Sequence, residues 1–263
     1  MKIICCDGIG TKGRVDGSIL AHCADHLAAK LDTTAEWIPW TGAMLGVGGA
    51  GSWAENAAAG VRMLVDAMDS HHDQVILLAY SGGNKVVHDF LDLYPRYRDR
   101  IAAAGLMSDP WRPVDRWQHG CPDPRPRYGV MGQRHGPIHG RTFWTTAVDD
   151  VISSAWPDAL LRYLADTSEG DLDQIITKAI EHGHLGSFQL AWQLGIVQRE
   201  PFTWFLGLGG RIGQLAADVQ GYMTGAHTAA YTRPFPTGDG DDRSLAVRLA
   251  DSIAWAVDTS KED

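Results

Sequence analysis

The chain has 263 residues, 44% hydrophobic and 21% charged, proportions that fit one compact domain with an insertion and argue against disordered or fibrous classes. A formal net charge of −9, with no long lysine or arginine cluster, opposes the counterion release on which nucleic-acid binding depends. No apolar run approaches the roughly 18 residues needed to span a membrane, and the apolar stretch after Met1-Lys2 is too short for a signal-peptide core, which predicts synthesis as a cytosolic chain.

In chain order, the first half alternates short β-like runs with helical patterns, the signature of a parallel sheet covered on both faces. Strands are predicted over 2–6, 35–40, 74–80, 101–107 and 142–147. A helix over 17–31 places Ile19, Leu20, Cys23, Leu27 and Leu31 on one face, with Asp16 as its expected N-cap. Further helices are predicted over 53–68 and 84–93, the second with a buried stripe of Val86, Val87, Phe90 and Leu91. After Val151 the texture becomes helical, over 157–166, 171–182, 186–194 and 203–221, with no convincing strand between. That pattern predicts an inserted cap over 151–226, with 1–150 and 227–263 forming the core and a last helix over 242–257 packing back on the sheet. Cys5, Cys6, Cys23 and Cys121 lack metal or redox spacing and are expected as reduced thiols, with adjacent Cys5 and Cys6 pointing to opposite faces of their strand.

The strongest local signal is an apolar strand that ends on Ala79-Tyr80-Ser81-Gly82-Gly83 and turns into a helix. Such a turn strains the serine backbone, admits only small residues two positions away on either side, and lifts the hydroxyl above the sheet. It makes Ser81 the candidate nucleophile of an α/β-hydrolase fold, with the Gly82 N–H as one oxyanion donor. Ala79 stands where the pattern has glycine and is small enough to serve. The alternative is that Ser81 merely caps the following helix. A second oxyanion N–H is expected from Ile9 or Gly10, in the Asp7-Gly8-Ile9-Gly10 loop after the first strand, where glycine lets the backbone approach a ligand. The run Gly8-Ile9-Gly10-Thr11-Lys12-Gly13 lacks the continuation of a dinucleotide site.

In this fold the acid and the base follow the serine in the chain. Asp150, in the loop after the last strand, is the preferred acid, with Asp149 close behind and Asp109, in a Ser108-Asp109-Pro110 turn, third. His227, between the cap and the final helix, is the candidate base, because His182 and His184 lie in a helical region and His135 and His139 precede the acid. The His135/His139 spacing would suit a metal only on a regular helix, which Pro137 and the flanking glycines oppose; neither metal nor cofactor is expected.

With these residues in place the chain resembles the lysin B family of actinobacteriophages, cutinase-like α/β-hydrolases that cleave the ester joining mycolic acids to arabinogalactan. The resemblance rests on Asp7-Gly8-Ile9-Gly10, Tyr80-Ser81-Gly82-Gly83, Asp109-Pro110, Asp149-Asp150, the helical insertion, and His227 with Tyr231, all in the family's order. It implies a serine esterase of lipid esters, made in the host cytoplasm and acting on mycolyl-arabinogalactan at the cell envelope after release. The family's order leaves two alternatives: an esterase or phospholipase acting on another lipid, and an inactive hydrolase fold serving as a binding module. Apolar residues of the insertion, Phe188, Trp192, Phe202, Trp204 and Phe205 among them, are candidates to line an acyl groove.

Overall fold

A computed structural model of the protein describes residues 1–43, 50–118, 121–134, 136, 139–159, 161–162, 165, 208–235, 237 and 240–259. Five strands, β1 (Lys2–Cys6), β2 (Ala35–Trp37), β3 (Val75–Tyr80), β4 (Ile101–Met107) and β5 (Thr142–Thr145), form one sheet in the order β2-β1-β3-β4-β5. Every pairing is parallel. The five predicted strands are all present; β2 and β5 stop short of the predicted 40 and 147, since the chain beyond them leaves the ladder to build loops.

The helices are α1 (Ile19–Leu31), α2 (Trp53–Ser70), α3 (Gly83–Leu93), α4 (Leu208–Met223) and α5 (Leu245–Thr259). Asp16 was the expected cap of α1, but Ser18 takes that place, its Oγ accepting from the Ala21 N–H at 3.1 Å. Of the predicted cap helices, the last appears as α4; 171–182 and 186–194, together with the candidate groove residues, His182 and His184, lie outside the described residues.

Two apolar layers follow from the strand alternation. Ile4, Cys6, Leu77, Ala79 and Leu106 face α2 and α3, whereas Ile3, Cys5, Ile76, Leu78 and Ala103 face α1 and α5. Cys5 and Cys6 thus enter opposite layers, and all four cysteines carry free thiols. Gly105 of β4 is small because α5 crosses it closely: a Cβ there would stand 2.6 Å from Ile253 Cδ1 and 2.8 Å from Leu78 Cδ2.

In an all-parallel sheet every strand delivers its carboxyl end to the same edge. Here the chain runs from β1 outward to β2 and then returns to place β3 on the other side of β1, so the order reverses between β1 and β3. A crevice opens at such a reversal. The loops that meet there carry Asp7 to Gly10 from β1 and Ser81 from β3, with Ser108 and Asp109 from β4 and Asp150 after β5 beside them.

Candidate active site

Ser81 sits between β3 and α3 with φ 52°, a left-handed conformation that is strained for a residue with a side chain. Its surroundings enforce the turn. A Cβ on Gly83 would lie 2.1 Å from the Cys6 carbonyl oxygen, so α3 can start this close to β1 only with glycine there. Gly82 packs beneath Ile9, whose side chain would be 2.6 Å from a Cβ at that position. Asn84 ties the turn down, its amide donating to the carbonyls of Ser81 at 2.9 Å and Met107 at 3.0 Å. The hydroxyl of Ser81 does not cap α3, which has Gly82 as N-cap and no side-chain cap bond. It stands instead 2.9 Å from Nε2 of His227.

This sheet and this elbow define an α/β-hydrolase-type fold.

His227 is reached through a turn opened by Gly225, whose φ of 102° suits glycine. Its ring lies between two tyrosines, Tyr80 at 5.2 Å and Tyr222 of α4 at 4.9 Å between centroids, both stacked. The Tyr80 hydroxyl also donates to the His227 carbonyl, fixing the backbone beneath the ring. On the other side of the ring, Nδ1 is 3.0 Å from Asp150 Oδ1 and 3.0 Å from Ser108 Oγ. Ser81, His227 and Asp150 are thus brought into one hydrogen-bonded line. All three are buried, Asp150 completely.

Asp150 keeps its charge by accepting from every side. Its Oδ1 takes the Ile152 N–H at 3.1 Å, and its Oδ2 takes the hydroxyls of Ser108 at 2.5 Å, Tyr231 at 2.6 Å and Ser153 at 3.3 Å. Burial pushes the carboxyl's pKa up, but His227 and these donors outweigh it and hold the group below its ordinary value. Buried Arg112 pins the same loop, donating to the carbonyls of Ser153 at 2.7 Å and Arg127 at 2.7 Å. Burial lowers its pKa to about 10, which leaves it charged near neutral pH.

The two other acid candidates are placed elsewhere. Asp149 points to solvent, with Arg127 3.6 Å away. Asp109 is fully buried against a different histidine, accepting from His88 Nε2 at 3.0 and 2.9 Å, Trp144 Nε1 at 2.8 Å and the Trp111 N–H at 2.9 Å. It does more than cap a turn, because it joins α3 to the end of β4.

The expected oxyanion donors separate as well. The Gly10 N–H is already committed to the Gly42 carbonyl at 2.7 Å, so Gly10 is corrected from a donor to a loop-closing residue. The N–H groups of Ile9 and Gly82 have no acceptor among the described residues, and a Cβ on Gly82 would lie 3.5 Å from the Ile9 nitrogen, so the two donors are neighbours. The loop that presents Ile9 is held by Asp7, whose Oδ1 accepts from Gly8 N–H at 2.8 Å and whose Oδ2 accepts from Ser18 Oγ at 3.1 Å.

Sequence reasoning missed Ser108 and Tyr222 and gave Tyr231 no partner. Ser108 carried one signal: a serine directly after the strand adjacent to the nucleophile strand.

No family model matches the chain, and no curated protein matches it. Among solved structures it is similar to lysin B from Mycobacteriophage D29, with 16% identity over 73% of this chain and 86% of that one and a TM-score of 0.49. It is also similar to a cutinase-like protein from Cryptococcus sp., at 14% identity over 74% and 92% with a TM-score of 0.47. The catalytic core domain of acetyl xylan esterase from Trichoderma reesei matches at 16% identity over 66% and 97%, TM-score 0.43. Likeness of this degree does not transfer an activity; the side-chain geometry has to supply it.

Proposed function

We propose that the protein is a serine ester hydrolase of lipid esters, acting on the ester between mycolic acid and arabinogalactan in the actinobacterial envelope. The observation that carries the hydrolase reading is the unbroken line from Ser81 Oγ through His227 to Asp150 at the strained strand-to-helix turn. In this reading His227 Nε2 takes the Ser81 proton as the oxygen attacks the ester carbonyl, and then returns it to the leaving alcohol. The acyl group is left on Ser81, and water activated by the same imidazole releases the acid. Asp150 holds the imidazolium, and the faces of Tyr80 and Tyr222 add cation–π stabilisation while it is charged. The N–H groups of Ile9 and Gly82 receive the oxyanion; one lost donor in comparable sites costs about 3 kcal/mol. Every step uses groups of this chain, with no call for a metal or cofactor.

The choice of substrate rests on the order of motifs shared with the lysin B family, from Asp7-Gly8-Ile9-Gly10 to His227 and Tyr231. On the same basis the protein is made in the host cytoplasm and acts at the envelope after release; the cap expected over 151–226 lies largely outside the described residues. A fluorophosphonate probe tests the chemistry: it should label the wild type at Ser81, and Ser81→Ala should be folded, unlabelled and inactive on short p-nitrophenyl esters. A folded Ser81→Ala protein with full activity would overturn the assignment. Release of mycolic acid from isolated mycolyl-arabinogalactan, set beside a series of acyl chain lengths and phospholipids, tests the substrate. Preference for phospholipid or short acyl groups would move it to another lipid esterase, and failure of the probe to react would leave a binding module.

A further inference from the structure

We infer that Ser108 is a positioning residue of this site, its hydroxyl keeping the His227 proton on Nδ1 and the ring in the plane that presents Nε2 to Ser81. The inference rests on reading Ser81, His227 and Asp150 as the hydrolytic triad. Strands β3 and β4 are neighbours, and each is followed directly by a buried serine with a left-handed backbone: Ser81 at φ 52° and Ser108 at φ 50°. The two hydroxyls meet opposite nitrogens of one imidazole, Ser81 at Nε2 and Ser108 at Nδ1.

The direction of the Ser108 bonds follows from proton counting. A hydroxyl has one hydrogen, and the 2.5 Å contact with Asp150 Oδ2 places it there, since a carboxylate held below its ordinary pKa only accepts. Toward Nδ1, 3.0 Å away, the same oxygen can then act only as an acceptor. Nδ1 must therefore carry the proton, which it shares between Ser108 Oγ and Asp150 Oδ1, also at 3.0 Å. Nε2 is left with a free lone pair, the form that can take a proton from Ser81. The backbone supports the same conclusion. Glycine would occupy φ 50° without strain, so a serine there is kept at a cost that its fully buried hydroxyl has to offset.

Two substitutions separate this role from a structural one. Ser108→Ala removes the hydroxyl and keeps the backbone strain, whereas Ser108→Gly removes the hydroxyl and relieves the strain. Both should lower kcat on a short p-nitrophenyl ester by roughly 10- to 100-fold, as expected for one charge-assisted hydrogen bond, with KM little changed. The melting temperature should be higher for Ser108→Gly than for Ser108→Ala. The hydrogen-bonded Nδ1 proton of His227, observed by NMR in the resting protein, should broaden through exchange in both variants. If kcat follows the melting temperature, with Ser108→Gly retaining wild-type turnover, or if the Nδ1 resonance is unchanged in both, the inference is overturned. Ser81→Ala run alongside keeps the two readings apart. Activity surviving in that variant removes the hydrolytic triad, while the resonance still reports whether Ser108 clamps the ring.

Discussion

His227 with Asp150 and His88 with Asp109 form two buried histidine–aspartate pairs, their carboxylates at the ends of the neighbouring strands β5 and β4. Both carboxylates are shielded from solvent, and in both the upward push of burial is outweighed by a histidine and several donors. The pairs differ in what the second ring nitrogen faces. His227 turns Nε2 to the hydroxyl of a strained serine. His88, inside α3, gives Nε2 to both oxygens of Asp109 and packs edge-on against Trp111 at 5.8 Å, and its Nδ1 has no partner among the described residues. A carboxylate touching an imidazole is therefore equally a clamp or a catalytic pair; the neighbour of the far nitrogen distinguishes them.

Exchanging each aspartate for asparagine breaks the comparison most sharply. In Asp150→Asn the amide would favour the wrong imidazole tautomer and remove the charge that holds the imidazolium, a change that costs about 10⁴ in turnover in a protease with the same three groups. Turnover of a folded Asp150→Asn protein on p-nitrophenyl acetate is expected to fall on that scale. Asp109→Asn should leave kcat of the folded protein within a few-fold of the wild type. A collapse of activity there beside a near-normal Asp150→Asn would exchange the roles of the two pairs.

The second pair should declare itself in stability. Removing one partner of a buried pair costs about 3 kcal/mol or more, which for a protein of this size lowers the melting temperature by about 6–12 °C. The pH dependence has a definite sign. Asp109 has a folded-state pKa below its unfolded value, so its contribution is present above the ordinary carboxylate value near 4 and lost as pH falls through the lowered one. The gap in melting temperature between wild type and Asp109→Asn should be widest above about pH 5 and narrow towards pH 2. A constant gap would mean that the carboxylate's charge does not matter.

Much of this arrangement was legible because it is local. The apolar runs of β3 and β4, the small residues around Ser81 and the stripe of Val86, Val87, Phe90 and Leu91 announce a strand, an elbow and a buried helix within a few positions. The candidate base was legible because few late histidines compete, and the structure places it 2.9 Å from Ser81 Oγ. Three features were not. Whether Ile9 or Gly10 offers its N–H depends on the Gly42 carbonyl, more than thirty residues away. The choice of Ser18 over Asp16 as cap depends on a helix start two residues later, where Ser18 also reaches Asp7. Ser108 looks like part of a turn until β5 and the His227 turn bring Asp150 and Nδ1 to its hydroxyl. For Ile9 and Gly10 and for Ser108 the deciding partner is distant in sequence, and no local pattern encodes it; for Ser18 the cap bond itself is local, and the start of the helix was misjudged.

The smallest expected effect concerns Asp149, which precedes Asp150 and differs from it in almost every physical respect. Its side chain is 84% exposed and stands 3.6 Å from Arg127 Nη1, whose firmer bond is to the Val148 carbonyl at 2.7 Å. Exposed ion pairs contribute about 0–1 kcal/mol, and salt screens them. Asp149→Asn should therefore shift the melting temperature by no more than about 2 °C and leave kcat within two-fold of the wild type. High salt should reduce even that shift. The measurement is informative because the two aspartates are adjacent: a one-residue change in how the loop leaves β5 would bring Asp149 to the imidazole and send Asp150 to solvent. A large loss of turnover in Asp149→Asn, insensitive to salt, would show that the loop takes that other course in solution. The hydrogen bonds from Ser108, Tyr231, Ser153 and Ile152 to Asp150 argue for the course described, because the alternative would leave those buried groups to find other partners.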